Sequence, residues 1–295
     1  IREREAALER HRATFERASA AARIGLWECN LADQSLIWSD TVYDIFDLPR
    51  GSALSRRETL KRYPEASRRA LEAKRSKAIE DRTGFTLDVA ITTRSGELRW
   101  IRITATVECA GDVPVRIFGM KQDITEEKIL ADRTRYLAEF DVMTGLANRG
   151  RFQARLAALD AGSGESPIGA LLLIDLDGFK QLNDTFGHAV GDDCLQEAAA
   201  RLAAICREAD LVARIGGDEF GVLVGPWDMD EVGSLAGEIV AGLGRPMFCG
   251  GEQLTSGASV GVARAENLRA EQLFRNADMA LYAAKAAGRN TFRVF

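Results

Sequence analysis

No run of about 18 apolar residues occurs anywhere in the 295-residue chain, so no membrane span and no membrane contact within it is expected. Histidine occurs only as His11 and His188. None lies between residues 15 and 125, which removes the usual proximal haem ligand from that stretch. His11 reads as a surface or seam residue, and His188 as a structural hydrogen-bonder within Phe186-Gly-His188. The five cysteines, Cys29, Cys109, Cys194, Cys206 and Cys249, include no close pair with metal-ligand spacing. They read as buried reduced thiols, consistent with a cytoplasmic protein. A basic excess is missing too: net charge is −5, with +2 on the first 128 residues and −7 on the rest. The acidic second part argues against a nucleic-acid surface, and any phosphate-bearing ligand must be met there by local lysines, arginines and metal. The chain starts at Ile1 rather than Met and so reads as a fragment, with room for an upstream sensor or membrane anchor. Its length suffices for two domains, and 46% hydrophobic with 28% charged residues is a soluble globular composition.

What the chain does contain is organised around Arg214-Ile-Gly-Gly-Asp-Glu-Phe220. Apolar segments flank it at 210–215 and 221–224. Two apolar strands joined by Gly216-Gly217 predict a β-hairpin, because a two-residue turn needs positive φ and glycine supplies it. Its tip carries Asp218 and Glu219, adjacent acids poorly placed for packing and well placed for a cation and phosphates. By itself this pattern is equally that of an ordinary hairpin with a polar turn. Ala170-Leu-Leu-Leu-Ile174 predicts a buried strand, and it ends in Asp175-Leu-Asp177. A strand that delivers carboxylates at its C-terminal end builds a site at the edge of its sheet. Mg²⁺ takes one or two carboxylates and keeps substrate phosphates as further ligands; Asp175 and Asp218 on neighbouring strands supply that pair. Asp177 is read as structural, turned away from the site.

Gly216-Gly-Asp-Glu-Phe220 resembles the signature of the GGDEF family, the diguanylate cyclases. Further stretches match in the family's order: Asp141-Val-Met-Thr-Gly-Leu-Ala-Asn-Arg149, Asp175-Leu-Asp-Gly-Phe-Lys-Gln-Leu-Asn-Asp184, Phe186-Gly-His-Ala-Val-Gly-Asp192, and Ala280-Leu-Tyr-Ala-Ala-Lys285 with Gly288-Arg-Asn290. The resemblance spans residues 141–295. It departs at Met143, where leucine is usual, a volume-conserving swap.

Before that region, residues 1–22 predict a helix, with Leu8, Phe15 and Ala22 seven apart, as are His11 and Ala18. Ile24-Gly-Leu-Trp-Glu-Cys-Asn-Leu31 and Leu36-Ile-Trp38 predict two strands, and residues 40–80 short helices. Phe85–Thr93, Leu98–Val107 and Val115–Lys121 predict a three-stranded meander. This order, with Leu98-Arg-Trp100 and Gly119-Met-Lys-Gln-Asp-Ile-Thr125, resembles a PAS domain over residues 15–125. Such domains hold haem, flavin or a small metabolite. Haem is not expected without histidine, and Cys29 and Cys109 fall on strands, not in a photoreactive motif; the ligand stays unassigned. Trp27, Trp38 and Trp100 either line a pocket or fill the core. Asp123-Ile-Thr-Glu126 predicts a capping box opening a helix to about Phe140. There the rows Ile129/Tyr136 and Leu130/Leu137 suit either a parallel two-chain seam or a helix packed on its own domain.

The expected organisation is an N-terminal helix (1–22), a PAS sensor domain (23–125), a helical coiled-coil linker (126–140) and a GGDEF domain (141–295). The fold class is α/β (α+β), with a palm-like antiparallel-rich catalytic sheet. The resemblance implies condensation of two GTP into cyclic di-GMP and two pyrophosphates, in a homodimer joined through the PAS domain and linker. It implies Mg²⁺ or Mn²⁺ held by Asp175, Asp218 and the Leu176 carbonyl, with Glu219 as base or second-metal ligand. Asn183 and Asp192 match guanine-reading positions. Lys180, Lys285 and Arg289 match phosphate positions, and Phe179 with nearby backbone N–H groups helps cradle the terminal phosphates. Arg214 either orients phosphates or forms a surface ion pair. Arg207-Glu-Ala-Asp210 matches an inhibitory product site, although Arg and Asp at this spacing also form a plain helix-surface pair. The rival reading is a catalytically silent receptor of GTP or cyclic di-GMP; Asp175, Asp218 and Glu219, all present, argue against it.

Overall fold

The computed structural model describes residue 14 and residues 16–161 and 167–295. The chain divides into two compact units, Ile1–Asp132 and Arg133–Phe295. The first opens with helical residues 16–21 (α1), so Leu8, His11 and Phe15 of the predicted heptad lie outside the described residues. Then come β1 (Ile24–Asn30), β2 (Leu36–Trp38), α2 (Asp40–Phe46), α3 (Arg56–Leu60), α4 (Glu65–Asp81), β3 (Gly84–Thr92), β4 (Leu98–Ala110) and β5 (Val113–Asp123), followed by the start of α5 (Thr125–Glu139).

The five strands form one sheet in the order β2-β1-β5-β4-β3, every pairing antiparallel. Along β4, Ile101, Ile103, Ala105 and Val107 are buried and the residues between them are not, the period of two that a one-faced sheet requires. Ile101 and Ile103 meet Val89, Ile91, Val42 and Phe46 in one core. Trp38 is buried there and Trp27 packs beside it, while Trp100 stays 36% exposed with Lys128 over its ring. At the mouth of α5, Asp123 Oδ1 accepts from the Thr125 N–H and hydroxyl. The expected reciprocal bond from Glu126 is absent, because that carboxylate pairs with Arg23 at 2.8 Å.

The second unit contains α6 (Arg149–Ala161), β6 (Ala170–Leu176), α7 (Phe179–Phe186), α8 (His188–Ile205), β7 (Leu211–Gly216), β8 (Glu219–Val224), α9 (Met229–Leu243), the hairpin β9 (Met247–Cys249) and β10 (Glu252–Leu254), β11 (Ala258–Arg264), α10 (Ala270–Ala286) and β12 (Phe292–Val294). The sheet runs β12-β11-β6-β8-β7, antiparallel except for β11 with β12. Leu172, Ile174 and Leu176 face a core with α8 and α9, whereas Leu171 and Leu173 face one with α6 and α10. A strand covered on both faces needs an unbroken apolar run, which explains Ala170–Ile174. Each such side chain contributes about 1.5–3 kcal/mol on burial. Gly261 lets α10 lie directly on β11: a Cβ there would sit 2.2 Å from the Ala277 carbonyl.

The expectation of five reduced thiols is corrected for two of them. Cys194 on α8 and Cys249 on β9 form a disulfide, with Cα atoms 5.5 Å apart and the two residues 55 positions apart in sequence. The Gly250 N–H, donating to Asp193 Oδ2 at 3.0 Å, holds the same hairpin on the same helix. Cys29, Cys109 and Cys206 are free, and burial pushes the Cys206 thiol up to about 12.

Candidate active site

Strand β6 is central because both its faces are buried, and it ends at the site. Asp175 is its penultimate residue, opposite Glu219 of β8 on one side and Ser259 of β11 on the other. The hairpin forms as expected, but its two-residue turn is Gly217-Asp218, not Gly216-Gly217. A register shift between Arg214 and Gly216 absorbs one residue, and only Gly217 takes positive φ, +38°. The turn lies against the end of β6: the Leu176 N–H donates to the Asp218 carbonyl at 3.2 Å. Asp175 and Asp218 therefore occupy one corner.

Arg214 fixes that corner from behind. Its Nε and one terminal nitrogen donate to the Gly217 carbonyl at 3.0 and 2.8 Å. Its other terminal nitrogen meets Asp141 Oδ1 at 3.2 Å and the Met143 sulfur at 3.2 Å. The Arg214 side chain is 12% exposed, so it is neither a surface ion pair nor free for a phosphate. Burial works against the Asp141 charge, but bonds from Thr144 and the nearby Arg214 outweigh it and hold the carboxyl below its usual range.

Burial pushes the Asp175 carboxyl above its usual range, the Lys285 ammonium at 2.6 Å opposes this, and the charges of Asp218 and Asp177 add to the rise. Lys285, expected on a phosphate, thus stands on the carboxylate. Among the described residues no cluster of three or more His, Cys, Asp or Glu side chains forms a ready metal cage. Two carboxylates beside a backbone carbonyl nevertheless fit Mg²⁺, which takes few protein oxygens and leaves the remaining positions to water and phosphate. In this structure the Lys285 ammonium is the cation that partners Asp175.

Gly178, with φ +74°, turns the chain from β6 into α7. Asp177 braces this turn: its carboxylate accepts from Ser259 Oγ at 2.7 Å and from the Asn290 N–H at 2.8 Å. That tie also holds Gly288, Arg289 and Asn290, all at positive φ, so the structural reading of Asp177 stands and Arg289 is delivered by a fixed turn. Phe179 is buried, whereas Lys180 beside it is exposed. The first N–H groups of a helix have no intrahelical acceptor and favour anions.

Asn183 on α7 carries a buried Oδ1 with no hydrogen-bond partner. Gly191 on α8 makes room for it; a Cβ there would fall 1.8 Å from that oxygen. Asp192 follows, exposed. Sequence reasoning passed over Gly191. A glycine inside a helix costs about 1 kcal/mol relative to Ala, and that cost was the available signal of a close approach. His188 opens α8 exposed and without a side-chain hydrogen bond, so its expected structural bond is not made. Arg207 lies in the turn after α8, and Asp210 pairs with Arg155 at 3.1 Å; the helix-surface pair between Arg207 and Asp210 does not form.

Residues 138–291 match the family model "Diguanylate cyclase, GGDEF domain". The chain belongs to the GGDEF family. It is 43% identical over 181 residues to an uncharacterized signaling protein of Caulobacter vibrioides, 59% of this chain and 22% of the relative. It is 38% identical over 189 residues to the diguanylate cyclase DgcM of Escherichia coli K12, 60% of this chain and 45% of the relative. The chain thus spans less than half the length of these curated relatives. Among solved structures, the coiled coil and GGDEF domain of DgcB from Caulobacter crescentus, in complex with c-di-GMP, aligns at TM-score 0.53 and 27% identity, covering 58% of this chain and 93% of that one. The diguanylate cyclase SiaD from Pseudomonas aeruginosa, solved with its activator SiaC, aligns at TM-score 0.50 and 31% identity, over 58% of this chain and 68% of that one. No helix among the described residues is long and apolar enough to cross a membrane.

Proposed function

We propose that this chain is a diguanylate cyclase that joins two GTP molecules into cyclic di-GMP, under control of a PAS-like sensor in its first unit. The observation that carries the reading is the corner where Asp175 and the Gly217-Asp218 turn meet, bonded through Leu176 N–H and the Asp218 carbonyl. In each half-reaction the 3′-hydroxyl oxygen of one GTP bonds to the α-phosphorus of the other. The bond from that phosphorus to the bridging oxygen of pyrophosphate breaks, and the hydroxyl proton leaves to a base. Asp175, Asp218 and the Leu176 carbonyl would hold Mg²⁺ or Mn²⁺, which when bound polarises the phosphates and lowers the pKa of the attacking hydroxyl. Glu219, exposed beside them, takes the proton or holds a second ion. Asn183 Oδ1, an acceptor without a donor, is suited to a guanine N–H, and Asp192 completes the base reading. Lys180 and Arg289 neutralise phosphate, and Lys285 does so once a cation displaces it from Asp175.

One such site holds one GTP, so two copies must face each other. Exposed apolar residues support a homodimer: Ile129 and Leu130, then Tyr136 and Leu137, on an α5 that buries none of its residues, and Phe118 and Met120 on β5. Arg207 and Asp210 are proposed as a product-binding inhibitory pair, which requires Asp210 to exchange its Arg155 partner for ligand. Incubation with GTP and Mg²⁺ followed by chromatography tests the activity: cyclic di-GMP should accumulate, and Asp218→Asn should reduce the rate at least about 100-fold by removing metal-holding charge. Near-parental turnover by this variant would refute the ligand assignment.

A further inference from the structure

The first unit contains a partly open cavity of about 50 Å³ against β1, β2, α3, α4 and the buried face of its sheet. A single water needs roughly 10–15 Å³, so the space takes a ligand of a few non-hydrogen atoms. Most of the wall is apolar, with Leu60, Leu71, Phe85 and Ile103 prominent. Three of its polar groups are donors short of acceptors, the Lys121 ammonium and the Trp27 and Trp38 indole N–H groups, whereas Arg56 pairs with Glu72, Arg75 donates to Gln34 and Thr59 donates to the Ser55 carbonyl.

Lys121 is 6% exposed, and its ammonium makes one hydrogen bond, to the Tyr63 hydroxyl at 3.2 Å. The rings of Trp38, Phe46, Trp27 and Tyr63 surround Nζ at 4.8, 4.9, 5.4 and 5.9 Å. They stabilise a cation through their faces, yet an ammonium carries three N–H donors and rings do not satisfy them as an oxygen does. The indole N–H groups of Trp27 and Trp38, both lining the cavity, are buried without partners; Trp38 is 7% exposed. Arg56 and Arg75 complete the wall, and burial, then repulsion from Arg75, lowers the Arg56 guanidinium's hold on its proton. No carboxylate lines the cavity among the described residues. Burial pulls the Lys121 ammonium down to about 7, with Cys29, also in the cavity wall, acting in the opposite direction.

We propose that this cavity binds a small organic monocarboxylate. The carboxylate is received by Lys121 Nζ and the Trp27 and Trp38 N–H groups, and the short carbon chain lies on the leucines and Phe85. A neutral ligand would leave the ammonium uncompensated, and a larger one exceeds the space. Lys121 stands two residues before Asp123, which caps α5, so the occupant acts at the origin of the helix that leaves the unit.

The test titrates the full chain with acetate, propionate, butyrate and pyruvate, reading tryptophan fluorescence and calorimetry without GTP, so its outcome is separate from that of the cyclase reading. Propionamide and nitrate serve as neutral and inorganic controls. At least one carboxylate should bind at millimolar or tighter affinity, with propionamide about 100-fold weaker. Lys121→Met should lose that binding about 100-fold while unfolding at no lower temperature than the parent, since it removes an uncompensated buried charge. Trp38→Phe, which keeps the ring and deletes the N–H, should lose roughly tenfold and serves if Lys121→Met does not fold. Absence of binding by all four acids up to about 10 mM, undiminished binding by the variants, or nitrate equal to the best acid would each overturn the assignment.

Discussion

At the scale of single residues, Asn183 and Gly191 form a unit that neither makes alone. Asn183 Oδ1 is buried without a donor, and a Cβ on residue 191 would sit 1.8 Å away. By helix propensity alone, Gly191→Ala should stabilise α8 by about 1 kcal/mol. The intruding methyl must instead displace the Asn183 amide, a movable side-chain end, so the fold should survive while the base site is lost. The expected outcome is an unchanged or slightly raised melting temperature with GTP affinity reduced about tenfold or more, roughly the value of one or two buried hydrogen bonds. Calorimetry with GTP beside thermal unfolding checks both; undiminished affinity would mean that Asn183 does not read the base. The acids Asp175, Asp218 and Glu219 were legible because charge is conspicuous beside apolar strands. Gly191 was not, because a glycine acts through an absent atom, and what that atom would hit is set by a residue eight positions away on another helix.

At the scale of elements, the hairpin and α5 illustrate two kinds of control. The hairpin was legible from its glycines, but its turn falls one residue later than expected because Arg214 bonds the Gly217 carbonyl twice while pairing with Asp141. Turn chemistry proposes a turn; a buried guanidinium chooses between neighbouring registers. Helix α5 passes through the boundary between the units and buries none of its own residues. If it works as a two-chain seam, rotational phase sets activity. One alanine inserted between Asp132 and Arg133 turns everything downstream by about 100°, whereas seven residues return close to the starting face. The single insertion should change the rate of GTP condensation severalfold, and the heptad insertion should restore most of it, with both variants dimeric by light scattering. Indifference to both insertions in an intact dimer would make α5 a passive tether.

At the scale of the whole molecule, the disulfide lies in the second unit, beside one free thiol, and the first unit's two thiols are both free. Cys194 and Cys249 are joined while Cys29, Cys109 and Cys206 are free. Alkylation of the denatured protein without reductant should modify only the three free thiols, and peptide mass mapping should recover Cys194 linked to Cys249. Alkylation at all five would restore the reduced reading. Cys249→Ser should lower the second unit's stability by about 2–4 kcal/mol in urea unfolding, because the link closes a long loop between α8 and the β9–β10 hairpin.

Local order was written in the residues themselves. The both-faces-buried β6, the alternating β4, the glycine hairpin and the capped start of α5 follow from periodicity and turn chemistry, which depend on near neighbours in sequence. So did the order of strands and helices in the first unit and the acids at the end of β6. Tertiary structure alone decided the pairings between distant residues: Lys285 with Asp175, Asp210 with Arg155 rather than Arg207, Cys194 with Cys249, and four aromatic rings around Lys121. A side chain states which interactions it is able to make; which one it makes depends on what the folded chain brings within a few ångströms, and that distance is not a property of sequence spacing.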